Sequence, residues 1–178
     1  MADRRPSLCH RALLSLGSNI EPEKNLPAAV RGLERYGRVL RVSGVWQSPP
    51  MGNPAQADYL NAALWLETGL SAEELKKKAI AAVETALGRL RGADPNAPRT
   101  IDIDIMLCDR ERLRVGRRVI PDPELLERPF VAIPLAQIAP DYVHPETGET
   151  LAEIAARFDA QAAGMRLRPD VVLIPSTG

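Results

Sequence analysis

Hydrophobic and polar positions along the chain fall into short blocks. Arg11 to Leu16 (RALLSL) is an apolar run that predicts a first strand, with a turn at Gly17-Ser18-Asn19. Glu21-Pro22-Glu23 places proline and acids where a helix begins, and Leu26, Val30, Leu33 and Tyr36 carry it at helical spacing to about Gly37. Arg38 to Trp46 (RVLRVSGVW) is valine-rich and predicts a second strand. Ser48 to Pro54 is a proline-stiffened loop, and Tyr59 to Thr68 alternates in part and predicts a third strand. Ser71 and Glu74 form a capping-box pattern at the head of a helix that runs to about Leu87.

The sharpest alternation follows the loop 89–98. Ile101, Ile103 and Ile105 share one face of a predicted strand; Thr100, Asp102 and Asp104 share the other. Beyond it lie a charged hairpin at 109–116 leading into 117–121, short helices at 124–127 and 130–138 split by Pro129, a turn at 144–148 and a helix at 151–158. Residues 166–174 read as a strand or a tail. The order β-α-β-β-α-β predicts the α+β class: a ferredoxin-like αβ sandwich, a mainly antiparallel sheet with helices on one face. One domain is expected over 11–160, with a tail at 1–10 and an extension at 161–178.

Composition narrows the function. The chain has 178 residues, 45% hydrophobic and 26% charged, with a formal net charge of zero, so no bulk polycation argues for nucleic acid. No apolar stretch reaches the ~18 residues of a membrane span, and the first ten residues lack the apolar region of a signal peptide. Cys9 and Cys108 are far apart in sequence and read as free thiols in a reduced, cytoplasmic setting.

Asp102 and Asp104 are the first candidate chemistry. Two residues apart on one strand face, they lie about 7 Å apart at Cα and can converge on hard cations. A solvated strand face would show the same alternation. Arg89, Arg91 and Arg99 just upstream favour a polyphosphate neutralised by metal and guanidinium together. Glu84, near the end of its helix, reads from spacing as an exposed acid. Asn61 in an apolar strand is either a structural hydrogen-bonder or a recogniser of a planar heterocycle. Tyr59 and Phe130 read as core or as stacking surfaces. His10 reads as idle and His144 as a turn residue. Neither lies near the aspartate strand in sequence, so a histidine base is unsupported. No P-loop and no kinase glycine loop is present.

Gly17-Ser18-Asn19, Ser48-Pro49-Pro50-Met51-Gly52, Asp58-Tyr59-Leu60-Asn61-Ala62-Ala63 and Pro98-Arg99-Thr100-Ile101-Asp102-Ile103-Asp104-Ile105-Met106-Leu107 occur in that order. Together with Arg128, Phe130 and Pro134-Leu135, they make the chain resemble the 6-hydroxymethyl-7,8-dihydropterin pyrophosphokinases of folate biosynthesis, over roughly Leu13 to Phe158. The resemblance implies pyrophosphoryl transfer from ATP to a reduced pterin, with two Mg²⁺ ions between Asp102, Asp104 and the triphosphate. It assigns Arg89 and Arg99 as catalytic arginines. Glu84, Arg91, Arg99, Ile105, Arg117 and Arg128 fall at nucleotide positions; Gly17, Ser48, Pro49, Met51, Tyr59, Asn61 and Phe130 fall at pterin positions. The implied partners are small molecules, with no nucleic acid or membrane, and the expected state is a monomer. The chain departs from the family pattern at Asn96-Ala97, where Trp-Gly is usual, and at Asp122, where His is usual. Two rivals remain: a homologue acting on a modified pterin, and a non-catalytic binding module whose aspartate face is solvated.

Overall fold

The computed structural model describes residues 10–175. Its strands are β1 (His10–Ser18), β2 (Arg38–Val42), β3 (Trp46–Ser48), β4 (Tyr59–Thr68), β5 (Asp102–Cys108), β6 (Leu113–Val115), β7 (Arg118–Ile120) and β8 (Arg166–Leu167). Its helices are α1 (Pro22–Leu33), a continuous α2 (Ala72–Glu74, Leu75–Ile80 and Ala81–Ala86), α3 (Glu124–Glu127), α4 (Pro129–Ile138) and α5 (Leu151–Ala155). The main sheet runs β5-β1-β4-β3-β8, with β2 also on β4, and every pairing is antiparallel. The expected α+β, ferredoxin-like sandwich is what forms, and β6 and β7 make a separate hairpin.

Helices cover both faces of the sheet, not one. Leu14, Leu16, Leu64, Leu66, Ile103 and Ile105 pack with α1 and α2. Leu13, Ala63, Met106 and Leu107 pack with α3, α4 and α5. A strand buried on both faces shows a continuous apolar run, which is why Leu13-Leu14 sit side by side in β1. The pairing of β1 with β5 shifts register between Leu13 and Leu14, a bulge that sets Met106 and Leu107 together against the C-terminal helices.

Three local boundaries differ from expectation. Gly17 and Ser18 end β1 instead of turning, and the turn begins at Asn19. The valine-rich strand is two strands broken at Ser43-Gly44-Val45. There Ser43 Oγ accepts from Ala63 N (2.8 Å) and so replaces a backbone acceptor of the ladder. His10 opens β1 and pairs with Asp109 (2.9 Å), so it belongs to the sheet and not to a tail; residues 1–9 lie outside the described residues. The capping box forms as read: Glu74 N donates to Ser71 Oγ (3.2 Å) and Ser71 N to Glu74 Oε2 (3.0 Å). The segment after 160 packs on the core. Met165, Val171 and Leu173 are buried, and β8 pairs with β3.

Candidate active site

The site lies on the sheet face that bears Asp102 and Asp104, where α4 leaves the ends of the strands uncovered. Register lines up Asp102, Gly17, Asn61 and Trp46 across four adjacent strands, with Asp104, Ser15 and Ala63 forming the next row. Asn61 Nδ2 donates to Ser48 Oγ (2.7 Å), which leaves Oδ1 over Gly17. A Cβ on Gly17 would lie 3.5 Å from that oxygen and 3.7 Å from the Tyr59 ring, in ordinary contact. Packing alone therefore tolerates a side chain at 17; its absence keeps the floor between Asn61 and Asp102 open.

Two cavities meet at the aspartates. The first, about 310 Å³, has Gly17 and Asn61 at its floor and Ser48, Pro49, Met51, Tyr59, Arg128 and Phe130 around it. The second, about 440 Å³, is lined by Lys76, Lys77, Arg89, Arg91, Arg117 and Arg118. Pro95, Arg99, Asp102, Asp104 and Arg118 border both. The first thus carries mixed apolar and hydrogen-bonding surface, and the second is rich in cations.

Asp102 is gripped by Arg89 Nη1 (2.7 Å) and Arg99 Nη1 (2.5 Å). Burial pushes its carboxyl up, but the two guanidiniums outweigh that and hold it below the ordinary value. Asp104 is held more loosely, by Arg118 Nη1 at 3.5 Å and Lys76 Nζ at 4.0 Å. Burial first, and the neighbouring Asp102 charge second, push its carboxyl up to about 7. A buried carboxylate short of positive charge, Asp104, beside the part-buried Asp102 supplies the oxygen donors that a hard divalent ion takes, so the residues fit Mg²⁺. Neither aspartate is a solvated surface acid, which removes the ground for a merely solvated strand face.

The arginines are positioned from behind. Glu84 is buried, not exposed as its spacing suggested. It receives Arg89 Nη1 (2.9 Å), Arg91 Nη2 (2.9 Å) and the backbone N–H of Ile103 (3.2 Å). It ties α2, the loop after it and β5 into one unit. Arg99 is fixed by its neighbours: its N–H donates to Asn19 Oδ1 (2.8 Å), and its carbonyl accepts from Asn19 N and Ile20 N. Gln56 joins the two loops, receiving Asn19 Nδ2 (3.1 Å) and donating to the Asn96 carbonyl.

The structure brings together all the expected site residues except two. Glu84 and Ile105 line neither cavity: Glu84 sits behind the arginines, and the Ile105 side chain is in the core. Asn96 lines the first cavity, where the departure from the family pattern put it. Asp122 turns away from both, buried against Arg118 (2.7 Å) and the Glu124 N–H (3.0 Å). His144 is a turn residue, its Nδ1 accepting from Glu146 N and Thr147 N. Arg118 and Lys76 were not among the expected residues. Arg118 shares a face with buried Ile120 two residues on, so alternation read backwards from Ile120 points to it ahead of Arg117.

The profile of the family described as 7,8-dihydro-6-hydroxymethylpterin-pyrophosphokinase (HPPK) matches residues 13–140. The chain belongs to this family. The 2-amino-4-hydroxy-6-hydroxymethyldihydropteridine pyrophosphokinase of Synechocystis sp. is 36% identical to this pyrophosphokinase, over 96% of this chain and 92% of its own. The enzyme of the same name from Methylorubrum extorquens is 39% identical over 84% of this chain and 94% of its own. Among solved structures, wild-type Plasmodium falciparum HPPK-DHPS with SDX-DHP superposes with a TM-score of 0.66 at 14% identity, covering 84% of this chain. That likeness shows the fold, and the pyrophosphokinase spans 44% of the longer chain.

Proposed function

We propose that Asp102 and Asp104 hold two Mg²⁺ ions against the triphosphate of ATP while a reduced pterin lies in the first cavity. In that arrangement the pyrophosphokinase performs its family's reaction, pyrophosphoryl transfer from ATP to 6-hydroxymethyl-7,8-dihydropterin in folate biosynthesis. The supporting observation is the meeting of the two cavities on the aspartate pair. A flat, polar-edged ring fits a floor without a Cβ at Gly17, with Asn61 Oδ1 to accept from its edge and Phe130 to pack on its face. A triphosphate fits the cavity lined by Lys76, Arg89, Arg91, Arg117 and Arg118.

When bound, Mg²⁺ supplies charge neutralisation for the transferred group. The chain supplies position. Arg89 and Arg99 border the aspartates and offer guanidiniums where charge develops. The loops 48–56 and 89–98, joined through Gln56, close over the junction, exclude water and align the pterin hydroxymethyl oxygen with the β-phosphorus. The two cavities are of a size and chemistry for small molecules, ATP and a reduced pterin. No helix among the described residues is long and apolar enough to cross a membrane.

An AMP-release assay with ATP, Mg²⁺ and 6-hydroxymethyl-7,8-dihydropterin tests the reading. The expected result is stoichiometric AMP and pterin diphosphate, dependent on both substrates and on Mg²⁺. No AMP, or AMP formed without the pterin, overturns it.

A further inference from the structure

Three lysines in a row, Lys76 to Lys78, lie in the first half of α2, and they are not equivalent. Lys77 pairs with Glu73 (2.5 Å) and Lys78 with Glu74 (3.1 Å), both surface pairs at i,i+4. Four residues before Lys76 stands Ala72, which offers no partner. Lys76 instead is part-buried between the buried residues Ala72, Leu75, Ala79 and Ile80 of the same helix. A lysine among buried residues loses hydration and side-chain freedom unless its ammonium finds charge to face.

That ammonium reaches the cavity. Lys76 lines it, its side chain is 32% exposed, and Nζ lies 4.0 Å from Asp104 Oδ1. At that separation it is an ion pair without a hydrogen bond, and among the described residues Nζ donates to no other acceptor. The other cation on Asp104, Arg118, is committed to Asp122 at 2.7 Å. Lys76 therefore carries an ammonium that lines the cavity at the aspartate junction and donates to no acceptor among the described residues. The helix around it is wound as a π-helix over Leu75–Ile80, a local form frequent at functional sites.

We propose that Lys76 is a nucleotide-positioning residue: it faces Asp104 in the free protein and passes its hydrogen bonds to the triphosphate when ATP and metal enter. The inference rests on the reading that the second cavity takes ATP. It adds a cation from α2 to those supplied by the loops and the hairpin. The Lys76 side chain is two-thirds buried, so the change of partner falls on the ammonium at its tip.

Calorimetry with a non-hydrolysable ATP analogue and Mg²⁺ is the test, on the full chain and on Lys76→Met, Lys76→Gln and Lys76→Arg. Loss of a charge-assisted contact is expected to weaken analogue binding by about 10-fold in Lys76→Met and Lys76→Gln, with Lys76→Arg recovering most of it. Binding of the reduced pterin should change less than 2-fold, as estimated for a residue outside that cavity. Analogue affinity within 2-fold of the parent in both neutral variants overturns the proposal, as does equal loss of pterin binding, which would mark a structural role. If the parent chain itself binds no analogue, the reading of the second cavity fails with it; if the parent binds and the neutral variants bind alike, only the role of Lys76 fails.

Discussion

Glu84 is the residue whose removal should reveal how the arginines are held. It is 3% exposed and joins three groups: Arg89, itself almost wholly buried, Arg91, two-thirds exposed, and the Ile103 N–H. Replacing it with Ala strips Arg89 of one of its two carboxylate partners; since Asp102 remains, about 2–3 kcal/mol is expected, below the 3–5 of a wholly broken buried pair. The orphaned Ile103 N–H adds about 1–3 kcal/mol, and the exposed Arg91 pair under about 1. The sum, roughly 3–7 kcal/mol, is comparable to the whole stability of many domains, so Glu84→Ala is expected to express poorly. Glu84→Gln keeps the shape and an acceptor for Ile103, and should cost about 2–3 kcal/mol, or about 4–12 °C in Tm for a chain of this size. Circular-dichroism melts at pH 7 measure it directly. Arg89 then has less to hold it beside Asp102, so kcat should fall while pterin affinity stays. A Tm within about 1 °C of the parent would refute the argument, because a buried carboxylate with two cations and a backbone donor cannot be lost so lightly. A double-mutant cycle with Arg89→Met checks the partner: the two changes together should cost less than their sum.

Asp104→Ala or Asp104→Asn should abolish AMP release while leaving pterin binding largely intact; retained turnover would remove Asp104 from the reaction. Asp104 also gives a pH signature in the absence of Mg²⁺. Its folded value, about 7, lies above its ordinary 3.8, so the folded chain binds the extra proton between the two. The stability it contributes is complete below about 4 and is lost as pH rises through about 7. Asp104→Asn should therefore gain Tm over the parent at pH 8 and little at pH 4, and an equal gain at both would refute the assignment. Gly17→Val should fold and melt near the parent but bind reduced pterin at least about 10-fold more weakly, since the added methyls enter the floor of the first cavity. Cys108 is buried, and burial pushes its thiol up to about 12; in a Cys9→Ser background it should resist a disulfide-exchange reagent at pH 8 and label at once in urea.

Much of the site is legible in the sequence because it is built on strands. Strict alternation from Ile101 to Ile105 places both aspartates on one face, and register then carries them beside Gly17 and Asn61. What alternation cannot say is what covers a face, so the sequence shows the helices at 124–127, 130–138 and 151–158 but not their place on the second side of the sheet, nor the bulge at Met106. Glu84 misled for a related reason. An acid near a helix end is usually solvated, and only the return of the arginine loop and β5 over α2 makes it a buried hub. Arg118 hides beside Arg117 in a three-residue strand too short to show a period. Lys76 carried a readable signal, a charge between apolar helix positions, masked by the two lysines that follow it.

The row Asp102–Gly17–Asn61–Trp46 draws its members from four strands, and β1 alone joins the consecutive pair β3 and β4 to β5. Ser48, Pro49, Met51, Tyr59 and Asn61, around the first cavity, come from β3, β4 and the loop between them, whereas Gly17 and the aspartates come from β1 and β5. A chain with only β3 and β4 formed holds one wall of the first cavity, and its junction with the aspartates requires β1 in place between β4 and β5. Bound nucleotide and pterin should then slow hydrogen exchange across all the central strands together, by the full factor 1 + [L]/Kd, and not only at the residues they touch.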